Sequence, residues 1–202
     1  MSDRYPALAL LEFDSVAAGI VAGDAMVKRA PLGDLVAGTV QPGHYLVLVA
    51  GDVASVDEAI QAGVEVSGHA EIDRVFLPDV HADVVEAIRG RREHGDIEAL
   101  GIIETTSVAS VLEAADAGIK GADVVLMEIF MADGLGGKGY VLFGGAVHDV
   151  EAAVEIGSGR VPPGHLTAAS VISQIHGDMR GNLAGHGRFA PRAGREDGDA
   201  AR

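Results

Sequence analysis

Apolar and polar positions in the first half of the chain fall into short blocks, and the order of those blocks recurs in the second half. "ALALLEFDSVAAGIVAGDAMVKRA" at Ala7–Ala30 returns as "ALGIIETTSVASVLEAADAGIKGA" at Ala99–Ala122, an offset of 92. "GHYLVLVAGDVASVDEAI" at Gly43–Ile60 pairs with "GKGYVLFGGAVHDVEAAV" at Gly137–Val154 at an offset of 94, and "LPDVHADV" pairs with "ISQIHGDM", which matches His81 to His176. The period is too long for a solenoid unit and fits a small complete domain, so the chain reads as a tandem duplication.

Each copy predicts the same elements. An apolar strand (Ala7–Phe13; Ala99–Glu104) passes through Asp14 or Thr106 as N-cap into a helix rich in Ala and Gly. Two strands joined by a hairpin loop follow (Leu35–Val40 with Tyr45–Val49; Val124–Phe130 with Tyr140–Phe143). A second helix (Val53–Val66; Val147–Ile156) and a last strand (Ile72–Leu77; Ala168–Ile175) complete the copy. The order β-α-β-β-α-β is ferredoxin-like and the class α/β (α+β), a layout that hosts many functions and proves none. The expected domains are 5–90 and 97–183, with "GRREHGD" at Gly90–Asp96 as linker and 184–202 as a disordered tail.

Charge removes several functions. The chain has 202 residues, 15 Lys plus Arg against 30 Asp plus Glu, and a net charge of −15, which repels phosphate backbones and anionic lipid surfaces. Neither nucleic acid nor membrane is an expected partner. With no cysteine there is no disulfide, thiolate nucleophile or cysteine-ligated cluster. The N-terminal apolar run is too short for a span and lacks the layout of a signal peptide, so a cytoplasmic protein is expected.

The loop "MADGLGGKGY" at Met131–Tyr140 spells G-x-G-x-x-G. A dinucleotide fingerprint needs a helix after it to supply free N–H groups to pyrophosphate, whereas here a strand follows. Gly139 also stands where a Walker loop needs Ser or Thr after Lys138. Two readings of the loop remain, a solvent-facing hairpin tip or bare backbone converging on a symmetry axis. Glu12 and Glu104 occupy equivalent strand ends and report duplication rather than an acid/base pair, so no catalytic residue is assigned. The eight histidines have no ligand spacing, which makes His81 and His176 helix caps or interface groups rather than metal ligands. No metal and no cofactor are expected. Lys28 and Lys120 each fall at the C-terminal end of a helix, where their charge complements the dipole.

With these residues in view, the repeated unit resembles the bacterial microcompartment shell domain. The features that carry the resemblance are the "ALGIIE" start at Ala99–Glu104, the "DAMVK" helix end at Asp24–Lys28, the glycine-bearing loop and the "GDV" step at Gly51–Val53. Two copies in unpermuted order are similar to the tandem-domain shell proteins, those of the propanediol-utilisation type above all. The resemblance implies a structural protein rather than an enzyme: a homotrimer that mimics a hexamer and assembles with other shell proteins in a cytoplasmic microcompartment shell. It implies a central pore for small metabolites lined by Gln41, Pro42, Gly43, His44, Gly134, Leu135, Gly136 and Gly137, with Lys28 and Lys120 at the tile edge. Propanediol-type relatives carry a cysteine in the first loop that holds an iron–sulfur cluster; Gln41 stands there, and an amide does not replace a thiolate ligand, so no cluster is expected. "LPDVH" and "ISQIH" also lack the arginine that relatives use against a neighbouring tile. Loop N–H groups, Gln41 amides and His44 suggest polar or anionic cargo. The alternative is a small-ligand sensor on a duplicated ferredoxin-like fold.

Overall fold

The computed structural model describes residues 6–95 and 97–185. The first unit runs β1 (Ala7–Phe13), α1 (Val16–Arg29), β2 (Asp34–Val40), β3 (His44–Gly51), α2 (Val53–Ser67), β4 (Glu71–Leu77) and α3 (Ala82–Ile88). The second runs β5 (Ala99–Thr105), α4 (Val108–Gly121), β6 (Val125–Met131), β7 (Gly139–Gly145), α5 (Val147–Arg160), β8 (Leu166–Ile172) and α6 (Gly177–Ala184). Each unit holds a four-stranded antiparallel sheet, ordered β2-β3-β1-β4 and β6-β7-β5-β8. Repeat-equivalent strands share their register: Phe13 faces Tyr45 as Thr105 faces Gly139.

Small residues let the helices lie close on the sheets, and the two units solve that packing in opposite ways. In the first, Gly19 on α1 sits against Tyr45 of β3, whose ring leaves no room for a Cβ. In the second, Val111 replaces Gly19 and Gly139 replaces Tyr45, so the bulk has moved from strand to helix. Volume at the contact is kept while its source is exchanged.

The structure corrects several boundaries. The N-caps are Ser15 and Ser107, one residue after the expected Asp14 and Thr106, and their hydroxyls accept from Ala18 N and Ser110 N at 3.3 Å each. Asp14 and Thr106 instead donate their own N–H groups to Ala70 and His165 carbonyls at the sheet edge. The last strand of the second unit lies at Leu166–Ile172, earlier than Ala168–Ile175, and α5 continues to Arg160. Helices α3 and α6 were not expected. Both are capped by the matched histidines, His81 Nδ1 accepting from Asp83 N at 3.2 Å and His176 Nδ1 from Asp178 N at 3.3 Å. Arg92 holds the end of α6, donating to the Leu183 and Gly185 carbonyls and to Glu128. Of the expected 184–202 tail, Ala184 closes this helix, and residues 186–202 lie outside the described residues.

One face of the first sheet (Ala7, Ala9, Leu11, Phe13, Val47, Val49) packs on its own α1 and α2. The other face (Leu8, Leu10, Leu48, Val75, Leu77) shares a core with the second unit, where α4 lies on β4 and β1 while α3 reaches across to β6. The halves of the chain are thus joined by a continuous apolar core, the dominant stabilising element at this scale.

Candidate functional site: the domain joint and the paired loops

The joint carries polar anchors within its apolar core. Glu12 on β1 is fully buried; its Oε2 accepts from Val108 N at 2.8 Å, the first helical N–H of α4, where the helix dipole favours an anion. Asp73 Oδ2 on β4 accepts from Ser107 Oγ and Ser110 Oγ at 2.5 and 2.6 Å, with His165 Nδ1 at 3.4 Å. At the far end of α4, Asp116 Oδ1 accepts from His81 N at 2.8 Å and its Oδ2 from Lys120 Nζ at 2.6 Å, and Lys120 also donates to the Asp79 carbonyl. Lys120 therefore has an intrachain use, whereas Lys28 pairs, among the described residues, only with Asp24 on its own helix at 2.5 Å.

The same positions on the outward faces are unfilled. On α4, Val108 and Leu112 are 0% exposed and Ile119 is 9%, all packed at the joint or in the second core. Their repeat equivalents on α1, Val16, Ile20 and Val27, are 37%, 53% and 46% exposed. Leu35 and Val36 of β2 are exposed where Leu126 and Glu128 of β6 are buried. At the other end of the chain β8 is exposed along nearly its whole length and α6 buries no residue, whereas β4 and α3 bury Val75, Leu77, Val84, Val85 and Ala87.

The structure brings together the two hairpin loops named from sequence. Gln41 N donates to Asp133 Oδ1 at 3.3 Å, and Gly134 N donates to Gln41 Oε1 at 3.1 Å. Gln41 and Asp133 are separated by 92 positions, the offset of the duplication, so repeat-equivalent residues touch each other here. Gly137, at φ +92°, lies so close to Pro42 and His44 that a Cβ would come within 3.2 Å of both. Gly43, Gly134 and Gly136 also have positive φ, a conformation that side chains disfavour. Loop two folds on itself through Ala132 N to Lys138 O and Leu135 N to Ala132 O, above a stacked Phe130–Tyr140 pair.

Behind the loops His44 Nδ1 contacts Glu12 Oε1 at 2.9 Å, linking the first loop to the buried joint. Burial pushes the Glu12 carboxyl above its usual range, against the opposing pull of the His44 and Val108 hydrogen bonds. Its repeat equivalent Glu104 instead pairs with Lys138 at 2.9 Å. Among the described residues no group of three or more His, Asp or Glu side chains is gathered to hold a metal ion, and no helix is long and apolar enough to cross a membrane. Sequence reasoning missed Asp133, Asp73 and Asp116; for Asp133 the signal was present, since adding the repeat offset to Gln41 leads to it.

Two copies of one sheet-and-helix unit, docked head to tail with matching faces left open at either end, define a subunit of a repeating assembly. The BMC domain matches residues 7–80 and again 99–175, and the chain belongs to this family of bacterial microcompartment shell proteins. It is 41% identical over 174 residues to the shell protein PduT of Citrobacter freundii, covering 86% of this chain and 95% of that one. Shell protein EutM of Salmonella typhimurium strain LT2 is 34% identical over 84 residues, 41% of this chain and 85% of its own length, the span of one domain. A solved microcompartment protein from Desulfitobacterium hafniense DCB superposes with a TM-score of 0.74 at 41% identity, covering 86% of this chain and 97% of that one. The fused permuted hexameric shell protein MSM0275 from the RMM microcompartment shares the fold, with a TM-score of 0.54 at 18% identity over 76% of this chain and 80% of that one.

Proposed function

We propose that three copies of the chain close into a pseudohexameric ring, a structural tile of a microcompartment shell in the cytoplasm, and that the paired loops surround a central passage for small metabolites. The observation that carries this reading is the mismatch between α4 and α1: equivalent apolar positions are buried at the joint in one and exposed in the other. An α1/β2 face on one copy and a β8/α6 face on the next would repeat the intrachain joint, and a head-to-tail contact whose rotation closes makes a ring. In that joint Asp24 would accept from His176 N and Lys28 would donate to the Gln174 carbonyl, as Asp116 and Lys120 do within the chain. Lys28, and with it Lys120, would then lie at the ring's rim near the neighbouring tile as well. Domain limits of 5–90 and 97–183 place one ring position in each unit.

The Gln41–Asp133 contact supports the pore. Points related by one sixth of a turn are as far from the axis as from each other, so equivalent residues that touch belong beside the axis. Gln41, Pro42, Gly43 and His44 from the first loop and Gly134, Leu135, Gly136 and Gly137 from the second are the proposed lining. The role is structural and transport-related, with other shell proteins as neighbours and no catalysis by this chain. Light scattering of the purified protein should give about 62 kDa, three chains of 20.7 kDa. A single cysteine replacing Gln41 should cross-link between chains. A stable monomer sinks the ring and revives the ligand sensor; a trimer without cross-links sinks the pore alone.

A further inference from the structure

We propose that Asp133 sets the charge selectivity of the passage, favouring cations and neutral molecules over anions; this rests on the ring arrangement above. Bare loop backbone suggests an anion-binding rim from sequence, because unpaired N–H groups carry partial positive charge. In the folded loops most of those groups are spent internally. Gln41 N goes to the Asp133 carboxylate, Gly134 N to the Gln41 amide, Gly43 N to the Val40 carbonyl and Leu135 N to the Ala132 carbonyl. The remaining ionisable groups around the loops are paired: Lys138 with Glu104 at 2.9 Å, and His44 with Glu12 at 2.9 Å.

Asp133 is different. It is exposed, only Oδ1 is engaged, by a neutral amide N–H, and Oδ2 has no partner among the described residues. Each chain therefore contributes one uncompensated carboxylate, and its contact with the repeat-equivalent Gln41 puts it at the rim. Three such charges around a narrow opening between low-dielectric walls focus a negative potential along the axis. Asp133 is a selectivity residue rather than a binding site, since a field that admits cations holds none of them in particular.

The chain has no cysteine, so Leu135→Cys puts a unique thiol on the second loop, between two glycines of positive φ but at a residue whose own φ is not positive. The probes are the 2-(trimethylammonium)ethyl and 2-sulfonatoethyl methanethiosulfonates, each rate divided by its rate with 2-mercaptoethanol, an uncharged thiol. In low salt the cationic reagent is expected to be favoured about tenfold, as a potential of order kT implies, with the ratio shrinking as salt is added. Asp133→Asn keeps an oxygen for Gln41 N and should bring the ratio close to one, and Asp133→Lys should invert it. Asp57→Asn, the same charge change on exposed α2, should leave it unaltered. Light scattering accompanies each variant. A parent that is not trimeric overturns the ring and this proposal with it. A trimer whose ratio ignores Asp133→Asn, or drops equally with Asp57→Asn, overturns the Asp133 assignment while the ring stands.

Discussion

The joint inside the chain and the open faces at its two ends use the same positions of the same unit, yet they are furnished differently. Inside, Asp73 gathers Ser107, Ser110 and His165 at the start of α4. At the open faces the equivalents of those four residues are Ala168, Ser15, Ala18 and Ala70. A buried polar cluster is favourable only when every member is satisfied, and a joint formed during folding of one chain can guarantee that. A face that must remain in water until a partner arrives gains from having fewer such groups to strip of solvent. Specificity has been built into the permanent joint and adaptability left in the other.

The largest expected break in this symmetry comes from one charge placed on each helix. Leu112→Asp buries an unpaired carboxylate, at a cost of several kcal/mol, comparable with the whole stability of a domain, and should abolish the cooperative thermal transition. Ile20→Asp sits on the exposed counterpart and should leave the chain folded while its mass in solution falls from about 62 kDa to 20.7 kDa. If Ile20→Asp remains a trimer, α1 is not the ring-closing face.

A smaller effect separates the two aspartates. Asp116→Ala strips the acceptor from His81 N and Lys120, which should cost about 1–3 kcal/mol in urea unfolding. Asp24→Ala should barely change the chain's unfolding and should raise the concentration at which trimers dissociate. Equal losses of chain stability in both variants would mean that the faces are not counterparts.

Smallest is a pH effect from Glu12, whose protonated form the folded chain favours because burial raises its carboxyl above the ordinary range. The folded state holds that proton more tightly than the unfolded one, so the contribution is full below the ordinary carboxylate pKa and is lost as pH rises through the raised value. Urea midpoints of the parent minus those of Glu12→Gln should therefore decline with rising pH across that window and then level off. A difference that grows with pH would show that the hydrogen bonds from Val108 and His44 outweigh burial.

Much of this was legible from the apolar blocks and their repeat. The order of strands and helices along the chain and the strand-to-strand setting of "MADGLGGKGY" follow from local pattern, because each is settled by neighbours close in sequence, whereas His81 and His176 read as caps or interface groups alike and cap helices that the pattern does not announce. The caps of α1 and α4 slipped by one residue because Asp14 and Thr106 are as able to cap as Ser15 and Ser107. The choice was made by carbonyls of distant Ala70 and His165. Helix α6 escaped notice because "GDMRGNLA" has two glycines and no apolar stripe; the His176 cap and the Arg92 guanidinium hold it instead. Val16, Ile20 and Val27 read as apolar in the sequence just as Val108, Leu112 and Ile119 do. Periodicity says that a face wants cover without saying whether the cover is in the same chain.

The linker between the two units, held to the second by Arg92, changes the arithmetic of assembly. Joining two ring positions covalently turns every second contact into an intramolecular event, at an effective concentration that no dilute pool of single units reaches. Ring formation then depends on the third power of chain concentration instead of the sixth, so rings persist at dilutions where single-domain hexamers would fall apart. Parity follows as well. A chain enters or leaves as a pair of adjacent positions, so one single-domain intruder leaves a gap of one that no further copy of this chain can fill.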